Sequence, residues 1–262
     1  MPRTSSIKSM NKIQKLFSGN KKNILSVYFT AGFPKLNDTA VILAELQKAG
    51  VNMIEIGMPF SDPLADGPTI QHSSEIALRN GMSLKRLFAQ LKRSAICDSP
   101  APVLLMGYLN PVLQFGMEKF CKCASEAGIS GVILPDLPMD EFLSSYKKLF
   151  DRYGLKNIFL VTPQTSAERI KRIDKLSEGF IYLVSSASTT GTKKGISPEQ
   201  KKYFKRILKM KLKNPLMIGF GISDRMSFET ACSYSNGAII GSAFIKALES
   251  KTRVNNFIKS IR

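Results

Sequence analysis

The sequence is poor in several residues and patterns that define protein classes. Of its 262 residues, four are cysteines, one is a histidine and none is a tryptophan. No apolar run approaches the roughly 20 residues that cross a bilayer, so we expect no membrane span. The cysteines lack paired metal-site spacing and no secretory signal is evident, so we expect reduced thiols and a cytoplasmic protein. His72 has polar neighbours, which disfavours a serine–histidine–aspartate triad.

Acidic residues are also scarce. Lysine and arginine number 38 against 20 aspartate and glutamate, which gives a formal net charge of +18. Such a charge raises the possibility of a nucleic acid or an anionic membrane surface as partner. However, the lysines recur in nearly every polar segment and no aromatic platform accompanies them. We therefore predict a solvated basic surface and no nucleic-acid partner, although the charge would also attract a phosphorylated substrate.

The segment before the first acidic residue is basic and contains serines, as a transit peptide would. A helix is the preferred interpretation, because the segment is rich in lysine rather than arginine and its apolar residues recur at helical spacing. These residues are Ile7, Met10, Ile13, Leu16 and Phe17.

Apolar, strand-like runs recur along the chain with helical segments between them. A chain of this length with 44% hydrophobic residues can bury one large core. The runs read ILSVYFT, MIEIGM, VLLMGY, GVILPD, NIFLV, FIYLV, PLMIGF and GAIIG. Eight strands that alternate with helices predict an α/β fold, a (β/α)8 TIM barrel with an additional N-terminal helix, built as one domain over residues 1–262.

Helix-capping signals agree with this alternation. Asn37 can cap a helix that ends near Gly50, and Ser83 can cap another. The run SPEQ, Ser197 to Gln200, combines a cap, a first-turn proline and a capping-box glutamine.

Two carboxylates stand out in the run VNMIEIGMPFSDPLADGPTIQ, residues 51–71. Glu55 lies in a strand-like run, where a carboxylate must be paired, hydrogen-bonded or turned toward a cavity. Asp66 follows in a loop that three prolines stiffen. Either residue alone is more often an edge residue or a turn former. Because barrel enzymes carry their active sites at the carboxyl ends of the strands, the two together predict an acid–base pair.

Glycine-rich turns follow the last two predicted strands. GFGIS spans Gly219 to Ser223, and GAIIGSAF spans Gly237 to Phe244. Glycine backbones and a helix start at this place in a barrel predict phosphate binding, with plain turns and a plain helix cap as the alternative. The small, polar run SSASTTGTKKG, Ser185 to Gly195, predicts a lid over the substrate, with a plain linker as the alternative.

Taken together, these runs resemble the tryptophan synthase alpha chain family along nearly the whole chain. The match extends from NILSVYFTAGFP to GAIIGSAFIKAL, and GMPFSDPLADGPTIQ is its most specific part. LMGYLNP, GVILPDLP and GFGIS follow in the family's order. The resemblance implies a lyase of tryptophan biosynthesis that cleaves indole-3-glycerol phosphate to indole and glyceraldehyde 3-phosphate by a retro-aldol reaction. It implies neither a metal nor an organic cofactor in this chain, and a beta-chain partner that carries pyridoxal phosphate in an α2β2 heterotetramer.

The resemblance also implies roles for individual residues. Glu55 would protonate C3 of the indole and remove the glycerol hydroxyl proton, while Asp66 would stabilise positive charge at the indole nitrogen. Asp136 would be structural or communicate with the beta chain, and Thr190 would orient Asp66 from the lid. The implied substrate-binding residues, which contact either the indole and glycerol or the phosphate, are Tyr28, Tyr182, Thr190, Gly191, Gly219, Phe220, Gly221, Gly241 and Ser242.

The lid departs from the family pattern. Where many members have an arginine and then a glycine, this chain has Ser186 and Ser188. A non-catalytic alpha chain that only activates its partner allosterically is therefore one alternative, and another phosphate-binding barrel enzyme is a second. The retained carboxylates and glycine turns favour catalysis.

Overall fold

A computed structural model describes most of the chain: residues 10–19, 21–94, 96, 99–184, 197–219 and 221–262. Across these ranges nine strands form one sheet with parallel pairing throughout. Their bounds are β1 Ile24–Thr30, β2 Met53–Gly57, β3 Val103–Met106, β4 Gly131–Ile133, β5 Lys156–Asn157, β6 Phe159–Val161, β7 Ile181–Val184, β8 Leu216–Gly219 and β9 Gly237–Ile240.

In the described part of the chain, helices lie between successive strands except β5 and β6. Their bounds are α1 Lys12–Phe17, α2 Asp38–Lys48, α3 Pro68–Arg79, α4 Leu84–Leu91, α5 Leu109–Phe115, α6 Met117–Glu126, α7 Met139–Glu141, α8 Lys147–Arg152, α9 Ala167–Leu176, α10 Pro198–Lys209, α11 Arg225–Cys232, α12 Ser242–Glu249 and α13 Val254–Ile261. A π-helical segment, Phe142–Tyr146, joins α7 to α8. No helix among the described residues is both long and apolar enough to cross a bilayer.

The sheet closes into a barrel where β5 and β6 follow each other in the chain, as two halves of one barrel strand. Its order is β5-β4-β3-β2-β1-β9-β8-β7-β6, and only Ile158 separates β5 from β6. The predicted (β/α)8 barrel is therefore confirmed, but the prediction of NIFLV as one uninterrupted strand is wrong. The fifth strand pairs with β4 through its first half and with β7 through its second, and Ile158 lies where the partner changes.

The strands are buried on both faces, because the barrel interior covers one face and the helices cover the other. All residues of β1 and β2 are buried, including the polar Ser26 and Glu55. Continuous apolar runs are typical of such parallel strands. A polar group on their inner face is thus exceptional, and Glu55 is one of these groups.

Helix α1 packs across the amino ends of the strands, as the additional N-terminal helix of the prediction. Ile13 is fully buried, and a Cβ on Gly131 at the start of β4 would come within 2.8 Å of its Cδ1. The Phe17 and Phe180 rings lie 5.7 Å apart between centroids. Met10 precedes the helix and is 55% exposed, so its assignment to the apolar face is wrong. Ile7 lies outside the described residues.

The capping predictions have mixed outcomes. The Ser83 side chain accepts a hydrogen bond from the Arg86 amide, and Ser197 forms the predicted capping box with Gln200. Asn37 precedes α2, but its side chain makes no capping bond. Asn37 therefore occupies the predicted N-cap position of a helix that ends near Gly50, but its backbone (φ −93°, ψ 1°) is not the extended conformation that directs a capping oxygen toward the helix amides.

Candidate active site

The two predicted carboxylates lie at the carboxyl end of β2 and in the loop that follows it. Glu55 is fully buried, and its strand register sets it beside Tyr28 of β1 and Leu104 of β3. Its Oε1 accepts a hydrogen bond of 2.8 Å from the Ser26 hydroxyl. Its Oε2 has no hydrogen-bond partner among the described residues. A buried carboxylate with one oxygen fixed and the other unpartnered is costly to maintain, which indicates a chemical role.

Burial changes the acidity of Glu55. Loss of hydration disfavours the charged form and raises the pKa to about 7, while the hydrogen bond from Ser26 opposes that rise. A carboxyl group with this pKa can donate and accept protons near neutral pH.

Asp66 is held by a tyrosine from the next strand. Its amide donates to the Pro63 carbonyl at 3.0 Å, which forms a tight turn in the proline-rich loop. The Tyr108 hydroxyl, just beyond β3, donates to Asp66 Oδ2 at 3.0 Å and accepts a 3.0 Å hydrogen bond from the Ala65 amide. The pKa of Asp66 is raised to about 6, because the effect of burial exceeds the opposite effect of the hydrogen bond from Tyr108. Asp66 is thus largely ionised at pH 7.

Tyr28 and Tyr182 lie close to both carboxylates. Each tyrosine is buried, and burial together with the charges of Glu55 and Asp66 raises its pKa. Both phenols are therefore neutral near pH 7. A Cβ on Gly57 would overlap the Tyr28 hydroxyl, and a Cβ on Gly219 would overlap that of Tyr182. The two glycines make room for the tyrosine hydroxyls at this end of the barrel.

A small pocket lies beside Asp66. Tyr28 and Asp66 line it, as do three residues that the sequence did not single out: Phe60, Met106 and Tyr108. The Phe60 and Tyr108 rings lie 5.2 Å apart between centroids and form one aromatic wall. The signal that could have found Tyr108 is its place in LMGYLNP, directly after a barrel strand.

The predicted phosphate-binding residues lie at the ends of β8 and β9. Gly219 ends β8, and Gly221 follows with φ +76°, a left-handed conformation that suits glycine. Gly241 is the N-cap of α12, and the exposed Ser242 is its first residue. The first amides of a helix have no intrahelical acceptor and carry partial positive charge, so this arrangement can bind an anion.

Several predicted residues lie outside the described part of the chain. They are Thr190, Gly191, Phe220 and the two lid serines, Ser186 and Ser188. Asp136 is described: both of its carboxylate oxygens lie 3.0 Å from the Leu109 amide, which donates to them at the start of α5. Asp136 therefore holds the helix that begins immediately after Tyr108.

The fold and the site together define an acid–base enzyme on a (β/α)8 barrel. Two carboxyl groups with raised pKa values, aromatic walls and glycine turns meet where barrel enzymes bind substrates. Among the described residues, no group of three or more histidine, cysteine, aspartate or glutamate side chains could hold a metal ion.

Comparison with known proteins names the family. The family model described as tryptophan synthase alpha chain matches residues 14–260. The alpha chain of Flavobacterium psychrophilum is 55% identical over 256 residues, which cover 96% of this chain and 100% of that protein. The alpha chain of Parabacteroides distasonis is 54% identical over 242 residues, 92% of this chain and 94% of that protein.

Solved structures agree with the sequence comparison. The crystal structure of the alpha chain from Legionella pneumophila has a TM-score of 0.84 and 34% identity, and covers 97% of this chain and 96% of that one. A structure described as tryptophan synthase from M. tuberculosis, aminoacrylate-bound form, has a TM-score of 0.83 and 28% identity over 96% of this chain and 98% of that one.

The chain belongs to the tryptophan synthase alpha chain family. The sequence-based predictions of the family, the barrel and a carbon–carbon lyase of tryptophan biosynthesis are confirmed.

Proposed function

We propose that this chain cleaves indole-3-glycerol phosphate with Glu55 as the proton-transferring group and Asp66 as its electrostatic partner. The observation that carries the proposal is Glu55 itself, a fully buried carboxyl group with a pKa of about 7 and one oxygen without a partner among the described residues. Family membership supports the substrate and the reaction.

The reaction needs a place for the electron pair of the breaking carbon–carbon bond. Protonated Glu55 gives its proton to indole C3, which converts the ring to an indolenine with positive charge at nitrogen. Asp66, ionised and held by Tyr108, stabilises that charge. The Glu55 carboxylate then takes the glycerol hydroxyl proton as the carbon–carbon bond breaks. The electron pair of that bond returns to the ring, indole and an aldehyde form, and Glu55 is protonated again.

The remaining predicted residues would hold the substrate. Tyr28 and Tyr182 would pack against the indole and glycerol parts, and the backbone around Gly219, Gly221 and the start of α12 would hold the phosphate. Thr190, Gly191 and Phe220 stay predictions from the family resemblance. A Cβ on Gly241 would lie 3.4 Å from the Tyr28 ring, so the proposed phosphate and indole ends of the site are contiguous.

The chain would act as one domain over residues 1–262 and bind a tryptophan synthase beta chain in an α2β2 complex. A neighbour described as tryptophan synthase in an aminoacrylate-bound form supports a partner of this kind. Pyridoxal phosphate would belong to that partner, and the alpha-chain chemistry above uses only protein side chains.

The test is release of indole from indole-3-glycerol phosphate by the purified chain, with and without a beta chain. We expect slow release that accelerates when the beta chain is added. Glu55→Gln should lower kcat by at least about 100-fold, since a positioned acid–base group contributes about that much or more. No release from folded protein under either condition would favour the non-catalytic alternative, and full activity in Glu55→Gln would remove Glu55 from the mechanism.

A further inference from the structure

Ser26 lies below Glu55 inside the barrel. In the parallel pairing of β1 with β2, Tyr28 is opposite Glu55 and Ser26 is opposite Met53. Ser26 is therefore one step nearer the amino end on the same face, since side chains alternate along a strand. The side chains of Ser26 and Glu55 are both fully buried. A substrate that enters from the carboxyl ends of the strands reaches Glu55 from the side opposite Ser26.

The contact between these two residues distinguishes the two carboxyl oxygens. Ser26 donates to Oε1 at 2.8 Å, and Oε2 accepts no hydrogen bond from any described residue. A hydroxyl group can donate to a carboxylate and can also accept from a carboxylic acid. If the Ser26 hydroxyl donates to Oε1 in both ionisation states of Glu55, the proton of the neutral form is left on Oε2.

We propose that Ser26 is a positioning residue that anchors Glu55 through Oε1 and directs its proton to Oε2, the oxygen that meets the substrate. The inference rests on the proposed role of Glu55 and extends it to a residue that the sequence did not single out. In the reaction the O–H bond at Oε2 breaks as the C–H bond at indole C3 forms, and the glycerol hydroxyl later returns a proton to Oε2. The Ser26 proton stays in place throughout.

The other groups near Glu55 do not replace this contact. From β1 and β7, Tyr28 and Tyr182 face it as neutral phenols, β3 presents Leu104, and Asp66 faces the same space as a carboxylate. Among these groups and Ser26, only Ser26 stabilises charged Glu55 through a hydrogen bond. That bond lowers the pKa of Glu55, whereas burial raises it. Loss of its hydroxyl should therefore raise that pKa.

The first test is Ser26→Ala, followed by the infrared carboxyl band of Glu55 as a function of pH. The band is assigned by its absence in Glu55→Gln. A hydrogen bond to a charged group corresponds to a pKa change of about one unit or more, so the midpoint should rise by about one pH unit. This readout does not depend on catalysis.

The second measurement is kcat at pH 6. Glu55 is mostly protonated at this pH in the wild type, where its pKa is about 7, and in Ser26→Ala, where its pKa should be higher. A loss of kcat there reports positioning rather than ionisation. We expect kcat to fall about tenfold with little change in KM, which corresponds to about 1.4 kcal/mol. Ser26→Thr keeps the hydroxyl on a side chain that suits a strand, and should restore both the midpoint and kcat. If Ser26→Ala does not fold, Ser26→Cys, with a weaker donor, should give the same changes in smaller measure.

The matched control is Ser235→Ala. Ser235 is also buried, and among the described residues its hydroxyl has as acceptors the backbone carbonyls of Ala231 and Gly237, at the amino end of β9. This variant should leave the Glu55 midpoint and kcat unchanged. An unchanged midpoint and unchanged kcat in folded Ser26→Ala would overturn the positioning proposal, even if Glu55→Gln is inactive. An active Glu55→Gln would instead contradict the proposed function.

Discussion

Removal of the Tyr108 hydroxyl should weaken Asp66 as a carboxylate near neutral pH. In Tyr108→Phe, Asp66 Oδ2 loses a hydrogen bond of 3.0 Å and the Ala65 amide loses its acceptor. A hydrogen bond to a charged group contributes about 1.5–3 kcal/mol, and one pKa unit corresponds to about 1.4 kcal/mol. Because Asp66 is only partly buried, the lower figure applies, and its pKa should rise from about 6 to roughly 7.

The size of the effect then depends on pH. At pH 7 the ionised fraction of Asp66 falls from about 90% to about 50%, and at pH 6 from about 50% to about 10%. The ratio of kcat/KM between wild type and Tyr108→Phe should therefore be about two at pH 7 and about five at pH 6. It should approach one above pH 8, apart from a pH-independent factor caused by the less restrained carboxylate.

The assay is the pH profile of kcat/KM for indole release, with Tyr203→Phe as control. Tyr203 is also buried, and its hydroxyl donates to the Val161 carbonyl at 2.9 Å. The control loses a tyrosine hydrogen bond without touching Asp66, and it shares any ionisation of the substrate phosphate. A ratio for Tyr108→Phe that stays constant from pH 5.5 to 9 would refute the reasoning.

Three further predictions concern stability. The pKa of Glu55 is 4.5 in the unfolded chain and about 7 in the folded protein. The contribution of Glu55 to the free energy of unfolding is therefore complete below pH 4.5 and is lost as the pH rises to 7. The change amounts to about 3 kcal/mol. Urea unfolding of Glu55→Gln should lack that decline, and equal declines in both proteins would contradict the assignment. Gly57→Ala should overlap the Tyr28 hydroxyl and lower the free energy of unfolding by about 1–3 kcal/mol. Gly67→Ala, with open space at its Cβ, should cost less. Equal melting temperatures for the two variants would argue against the overlap. Asn11→Ala should remove the cap of α1 and cost about 1–2 kcal/mol in chemical unfolding, unless α1 contributes nothing to barrel stability.

The overall plan of the molecule could be predicted from the sequence because it depends on local pattern. Continuous apolar runs that alternate with helical segments are sufficient for a parallel barrel. The capping box at Ser197 lies within four residues, so its bonds form wherever that helix forms. Glu55 and Asp66 were predicted for a related reason: any barrel strand places its carboxyl end, and the loop after it, at the active-site face.

Local pattern was not sufficient where a residue depends on its neighbours in space. The interruption at Ile158 reflects a change of strand partner from β4 to β7, which no property of NIFLV records. Asn37 has the right residue type for a cap, but the backbone of its loop places the side chain elsewhere.

The sequence by itself determined the family, the barrel and the two carboxylates, because each of these is written in residue type and spacing. Only the tertiary structure decided what the carboxylates contact. Ser26 is 29 positions from Glu55, and Tyr108 is 42 positions from Asp66. These distances in the chain become hydrogen bonds only when β1, β2 and β3 lie side by side, and those bonds, together with burial in the closed barrel, set the acidity of both groups.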